Sequence, residues 1–185
     1  MDDFHLMGSL TCPDTCVIVA AMTTWTERKT VGDLLEQHVA EELTIRGWTV
    51  NPWGQGVLTE EVRFALKSSD SYLRWTPDLV AARGESVVLI DCKARMTSSA
   101  SNRNSIERAA VKAHLQFSAW TDLPVYYVFD NLKVLTPHDV LTSGRAGPHT
   151  RVGSGAPYYL VPDALAKAFD ALFGTYESAL RAWAA

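Results

Sequence analysis

The stretch that decides the fold runs Thr76-Pro77-Asp78-Leu79-Val80-Ala81-Ala82, then Arg83-Gly84-Glu85, then Val87-Val88-Leu89-Ile90-Asp91-Cys92-Lys93. Two apolar runs, Leu79 to Ala82 and Val87 to Ile90, are split by a glycine-containing turn, which predicts neighbouring strands of a hairpin. Asp78 precedes the apolar part of the first strand, and Asp91 ends that of the second. With the strands antiparallel, both carboxylates come to the same edge of the sheet. Side chains alternate along a strand, so Asp91 and Lys93 share one face while Cys92 points to the other. Two acids and one lysine therefore converge.

That set has a chemical use. Magnesium takes oxygen ligands, commonly one or two carboxylates completed by water and substrate phosphate. A cation so held polarises a phosphoryl oxygen and acidifies water. A lysine beside it orients or deprotonates the attacking water and neutralises charge at phosphorus. A bare Asp-x-Lys more often marks a salt bridge at a strand end. A Pro-Asp pair before the hairpin, with Asp-x-Lys on its second strand, is far more specific.

With Pro77-Asp78 and Asp91-Cys92-Lys93 in this order, the sequence resembles the PD-(D/E)xK nucleases, the superfamily with the restriction-endonuclease-like fold. The resemblance implies an α/β fold, a mixed central β-sheet flanked by helices. It also implies metal-dependent hydrolysis of DNA phosphodiester bonds. Asp78 and Asp91 would bind Mg²⁺, with Mn²⁺ able to substitute and the Cys92 carbonyl as a further ligand, and Lys93 would assist the water nucleophile. The superfamily usually carries a glutamate on its first core helix. Here Gly32-Asp33-Leu34-Leu35-Glu36, followed by Leu43 and Gly47-Trp48-Thr49-Val50, is similar to the opening of archaeal Holliday-junction resolvases. Glu36 is the residue chosen for that role, with Glu41 and Glu42 as rivals. Recombination-type exonucleases of the superfamily place a Gln, and four residues on a Tyr, on the helix after the Asp-x-Lys strand. This chain has Gln116 and Trp120 there, so Gln116 is a further candidate and the Tyr is missing. The resemblance covers about residues 31 to 129.

Around this centre, Val31 to Arg46 has helical spacing, with Thr30 as its cap and Gly47 as its stop. Trp48 to Trp53 alternates as a strand, and Thr59 to Lys67 fits a short helix capped by Thr59. Arg95 to Asn104 is polar and predicts a loop, and Ser105 is placed to cap a helix running to about Trp120. Val125 to Phe129 and Lys133 to Leu135 predict strands. Ser143 to Pro157 predicts a long loop, Tyr158 to Val161 a strand, and Asp163 to Trp183 one closing amphipathic helix. Residues 30–185 form one expected domain. Residues 1–29 precede that domain as an expected N-terminal extension; within it the chain from Met22 reads like a natural beginning, which sets residues 1–21 apart, and a short strand or tail packed on the domain is the alternative.

Substrate contact falls by sequence to Arg95, Arg103, Arg108 and Lys112, which cluster after the Asp-x-Lys strand and suit phosphates. A solvated polar loop is the competing reading. Arg74 beside Trp75 offers a further contact to nucleic acid. The five histidines are scattered and form no metal motif, and no phosphate-binding Gly-rich loop of the ATPase type occurs.

Composition sets the outer bounds. The chain has 185 residues, 47% of them hydrophobic and 21% charged, with a net charge of -4. This fits an ordinary globular protein and excludes one that is basic throughout. Cys12, Cys16 and Cys92 lack the count and spacing of a disulfide framework or a zinc site, and a cytoplasmic location follows as the default. The run Cys16 to Met22 is too short to span a membrane. The partner expected is DNA. RNA cleavage, or a nuclease-fold module that binds nucleic acid or protein without cutting, are the alternatives. A resolvase would act as a homodimer.

Overall fold

The computed structural model describes residues 25–147 and 156–183. Cys12, Cys16, the expected extension up to residue 24, and His5 and His149 lie outside them. The chain opens with helix α1 (Trp25–Thr44). It starts ahead of Thr30, so Thr30 lies within the helix and does not cap it. Strand β1 (Thr49–Pro52) follows, then a 3-10 turn (Gly54–Val57), helix α2 (Glu60–Lys67) and a second 3-10 turn (Tyr72–Trp75). Thr59 precedes α2 as expected, but its side chain makes no cap hydrogen bond.

The hairpin forms as expected from β2 (Leu79–Arg83) and β3 (Ser86–Lys93), antiparallel, with Leu79 opposite Ile90. The run Arg95 to Asn104 is not one loop. It contains β4 (Thr97–Ser98) and leads into β5 (Arg103–Glu107), which takes up Ser105. Helix α3 (Arg108–Thr121) therefore starts later than the Ser105 cap implied, with Glu107 at its N-cap. Strands β6 (Val125–Phe129) and β7 (Lys133–Leu135) come next. Helix α4 (Pro137–Ser143) has a capping box between Thr136 and Asp139. Strands β8 (Arg145–Ala146) and β9 (Tyr158–Pro162) flank the undescribed segment. The expected closing helix is broken into a 3-10 turn (Asp163–Leu165), β10 (Lys167–Ala168), α5 (Phe169–Phe173) and α6 (Tyr176–Trp183). Gly174 sits between the two helices at φ +88°, a left-handed conformation that ends α5.

The main sheet has the order β1-β2-β3-β6-β7-β10, and only β3 and β6 run parallel, joined by the α3 crossover. A second sheet, β4-β5-β9-β8, was not foreseen. One core lies between the main sheet and α1 with α5. It contains Leu35, Val39 and Leu43 of α1, Val88 and Ile90 of β3, and Phe169 and Phe173 of α5. The other contains Tyr127 and Phe129 of β6, Val111 of α3, and Ile106 and Val161 of the small sheet. The main sheet is thus covered on both faces. No helix among the described residues is long and apolar enough to cross a membrane.

Candidate active site

The antiparallel register puts Asp78 and Asp91 at the same end of the hairpin, as the strand pattern implies. The Cys92 amide donates to Asp78 Oδ2 at 2.7 Å, which fixes that carboxylate against the next strand. Asp91 is buried at 6% exposure, and its Oδ2 pairs with Lys93 Nζ. These two share the face of β3 toward α3, whereas Cys92 packs into the α1 core. Glu36 reaches the same region from α1. It lines a cleft of about 610 Å³ together with Asp78 and Glu107.

Electrostatics bind these groups into one unit. Burial, then the charge of Asp91, then that of Glu36 push the Asp78 carboxyl well above the ordinary range. Burial, Asp33 and Asp91 raise Glu36. Burial works against the charged form of Lys93, but Asp91, Asp78 and Glu107 outweigh it and raise its pKa. Lys93 is therefore an ammonium at neutral pH. Burial, reinforced by Asp78 and Asp91, pushes the Cys92 thiol well up, so it stays protonated and unreactive.

A crowd of partly desolvated carboxylates is a poor arrangement for a folded protein unless a cation or a proton neutralises it. Among the described residues, no three His, Cys, Asp or Glu side chains close into a metal-binding group. Mg²⁺ requires no such cage, because it keeps several waters and takes one or two carboxylates. Asp78 and Asp91 with Glu36 nearby fit a hard cation of that kind.

A hydrogen-bonded relay supports this edge. His114 of α3 is buried, with Nε2 2.6 Å from the Trp75 carbonyl and Nδ1 3.0 Å from the Tyr127 hydroxyl. A carbonyl only accepts, so Nε2 carries the proton and Nδ1 accepts from Tyr127. Tyr127 lies opposite Asp91 in the parallel register, and its ring sits 5.5 Å from Lys93 Nζ. One imidazole thus ties the segment leading into Pro77-Asp78 to the strand beneath Lys93. Among scattered histidines in the sequence, His114 gave no sign of this. Its place on the inward face of α3, beside Ala110, Val111 and Phe117, is the one available clue.

The remaining candidates lie elsewhere. Gln116 is half-buried on α3 and, like Asp91 and Lys93, is not among the residues that line the cleft; unlike them it has no interaction, among the described residues, that ties it to Asp78 or Glu36. Arg74 stacks on its neighbour Trp75 at 5.3 Å. Arg95 is exposed, and its amide donates to Asp130. Arg103 is on β5, Arg108 lies over the Tyr159 ring at 5.1 Å, and Lys112 lies 5.9 Å from the Tyr72 ring. The basic residues that do line the cleft are Lys29, Arg63 and Lys67.

No protein-family model and no curated protein matches the chain by sequence. Solved structures do match it by fold. A Holliday junction resolvase, Hjc, from the archaeal hyperthermophile Archaeoglobus fulgidus aligns with a TM-score of 0.50 at 11% identity, over 78% of this chain and 96% of that one. D212, a nuclease from a fusselovirus, aligns with a TM-score of 0.44 at 12% identity, over 87% of this chain and 96% of its own. The likeness to Hjc and the mixed sheet flanked by helices give the chain the restriction-endonuclease-like fold that the hairpin motif implied.

Proposed function

We propose that the chain is a metal-dependent nuclease that hydrolyses DNA phosphodiester bonds. The observation that carries this is the meeting of Asp78, Asp91 and Lys93 at one sheet edge, with Glu36 brought toward them by α1. Asp78 and Asp91 would hold Mg²⁺ or Mn²⁺, with Glu36 acting directly or through water and the Cys92 carbonyl as a further donor. Such a cation, when bound, neutralises phosphoryl charge and acidifies water. Lys93, kept protonated by its acidic neighbours, orients the attacking water and offsets the negative charge that grows at phosphorus. Tyr127 and His114 hold Lys93 and the Trp75–Asp78 segment in register. The neighbouring resolvase acts on junction DNA by its name, and this motivates including a junction in the test.

Purified protein is to be incubated with supercoiled plasmid, linear duplex, single-stranded DNA, a four-way junction and RNA, each with Mg²⁺ and with EDTA. Cleavage of DNA that EDTA abolishes is the expected result. Cleavage of RNA alone would move the substrate, and intact substrates throughout would leave a binding role.

A further inference from the structure

Resting on the nuclease assignment above, we infer that the cleft receives an unpaired DNA strand, with a base stacked on Phe64 and flanking phosphates on Arg63 and Lys67. Two helix faces form its walls. From α1 come Lys29, Gly32, Asp33 and Glu36, and from α2 come Glu60, Arg63, Phe64 and Lys67. Each set follows the i, i+3, i+4, i+7 spacing of a single helix face. Asp78 also lines the space between them, so a strand lying along the cleft passes Glu36 and Asp78.

Phe64 remains 73% exposed, although it stands on the wall of a cleft between two cations. A lone exposed aromatic needs no explanation. Here it coincides with Arg63 and Lys67 and with a cleft that Glu36 and Asp78 of the proposed site also line. The facing wall leaves room, because a Cβ on Gly32 would meet nothing within 4 Å. The cleft's volume of about 610 Å³ lies in the range of small-ligand pockets. That volume accommodates a nucleotide-sized group.

Charge alone does not hold a polyanion in this cleft. Acids outnumber bases along it, and Lys29 is engaged by Asp33 at 2.8 Å. Stacking on an aromatic face supplies attraction that the acidic floor does not oppose, and an unpaired base can offer its face. A paired base is already stacked within its duplex and offers none. Phe64 is thus the residue that selects for unpaired strands.

Anisotropy titrations of labelled oligothymidine, labelled oligouridine and a labelled DNA duplex, with Ca²⁺ in place of Mg²⁺, test this. Oligothymidine is expected to bind most tightly. Phe64→Ala is expected to weaken it roughly tenfold or more while leaving duplex binding unchanged, and Phe64→Trp to retain it. Wild-type affinity in Phe64→Ala, or an equal loss for strand and duplex, would overturn the inference. Tighter Phe64-dependent binding of oligouridine would overturn the choice of DNA. Phe64-dependent strand binding without cleavage in Mg²⁺ would remove the hydrolytic role and leave the strand site standing.

Discussion

His114 shows how one buried side chain links the segment before Pro77-Asp78 to β6. Its two ring nitrogens are both used, one donating to the Trp75 carbonyl and one accepting from the Tyr127 hydroxyl, so the neutral imidazole is fully satisfied. Desolvation, with Lys93 adding to it, holds its pKa below the ordinary 6.5 against the opposing pull of Asp91 and of the Trp75 hydrogen bond. Between that depressed value and 6.5, the unfolded chain binds more protons than the folded one. Stability therefore rises with pH through the window, is complete above it, and is lost as the pH falls. The raised Asp78 and Glu36 carboxyls act in the opposite direction, so the His114 contribution is read as the difference between wild type and His114→Gln in urea unfolding at about pH 7.5 and about pH 5.5, the variant losing less stability on acidification. An undiminished slope in the variant would exclude His114 as the source.

At the scale of elements, the 3-10 turn after β1 docks directly on the Pro77-Asp78 segment. The Trp53 amide donates to the Asp78 carbonyl at 2.7 Å. Gly54 follows at φ +64°, where a Cβ would collide with the Pro77 carbonyl. Gly54→Ala combines left-handed strain with a backbone clash, and is expected to cost roughly 2–4 kcal/mol. Chemical denaturation reads the cost, and a cleavage assay should show reduced activity because Asp78 is displaced. Wild-type stability would show that the turn yields without consequence. The main elements were legible because α1, β2, β3 and β6 carry dense apolar periodicity or runs. The small sheet was not. Strands β4 and β8 have two residues each and no pattern of their own, and their pairing is set by distant β5 and β9. The closing helix was misread because its apolar residues continue through Gly174, whose positive φ breaks it.

Across the whole molecule, the two sheets are joined through Asp163. It accepts from Asn104 at 3.2 Å and Asn131 at 3.1 Å and pairs with Lys133 of β7. Desolvation works upward on this carboxyl, but the hydrogen bonds from Lys133, Asn131 and Asn104 outweigh it and hold its pKa below the ordinary value. Its stabilisation is present above the unfolded pKa and lost as pH falls through the folded one. Asp163→Ala is expected to cost roughly 2–4 kcal/mol at neutral pH and to shrink the loss of stability on acidification. Equal melting of variant and wild type would show that the sheets hold together without this link. The candidate site was readable where its residues lie on consecutive strands, as Asp78, Asp91 and Lys93 do. The cleft walls were not, because α1 and α2 face each other only in the fold, and Arg63, Phe64 and Lys67 read in sequence as an ordinary short helix.

The most direct test of the proposed chemistry is the rate of Mg²⁺-dependent DNA cleavage by Lys93→Met, measured beside its circular dichroism spectrum. The variant keeps most of the side-chain stem and removes the ammonium that pairs with Asp91. A native spectrum with cleavage reduced roughly a hundredfold or more is predicted. A native spectrum with cleavage at the wild-type rate would contradict the assignment of Lys93 and, with it, the active site built on the hairpin edge.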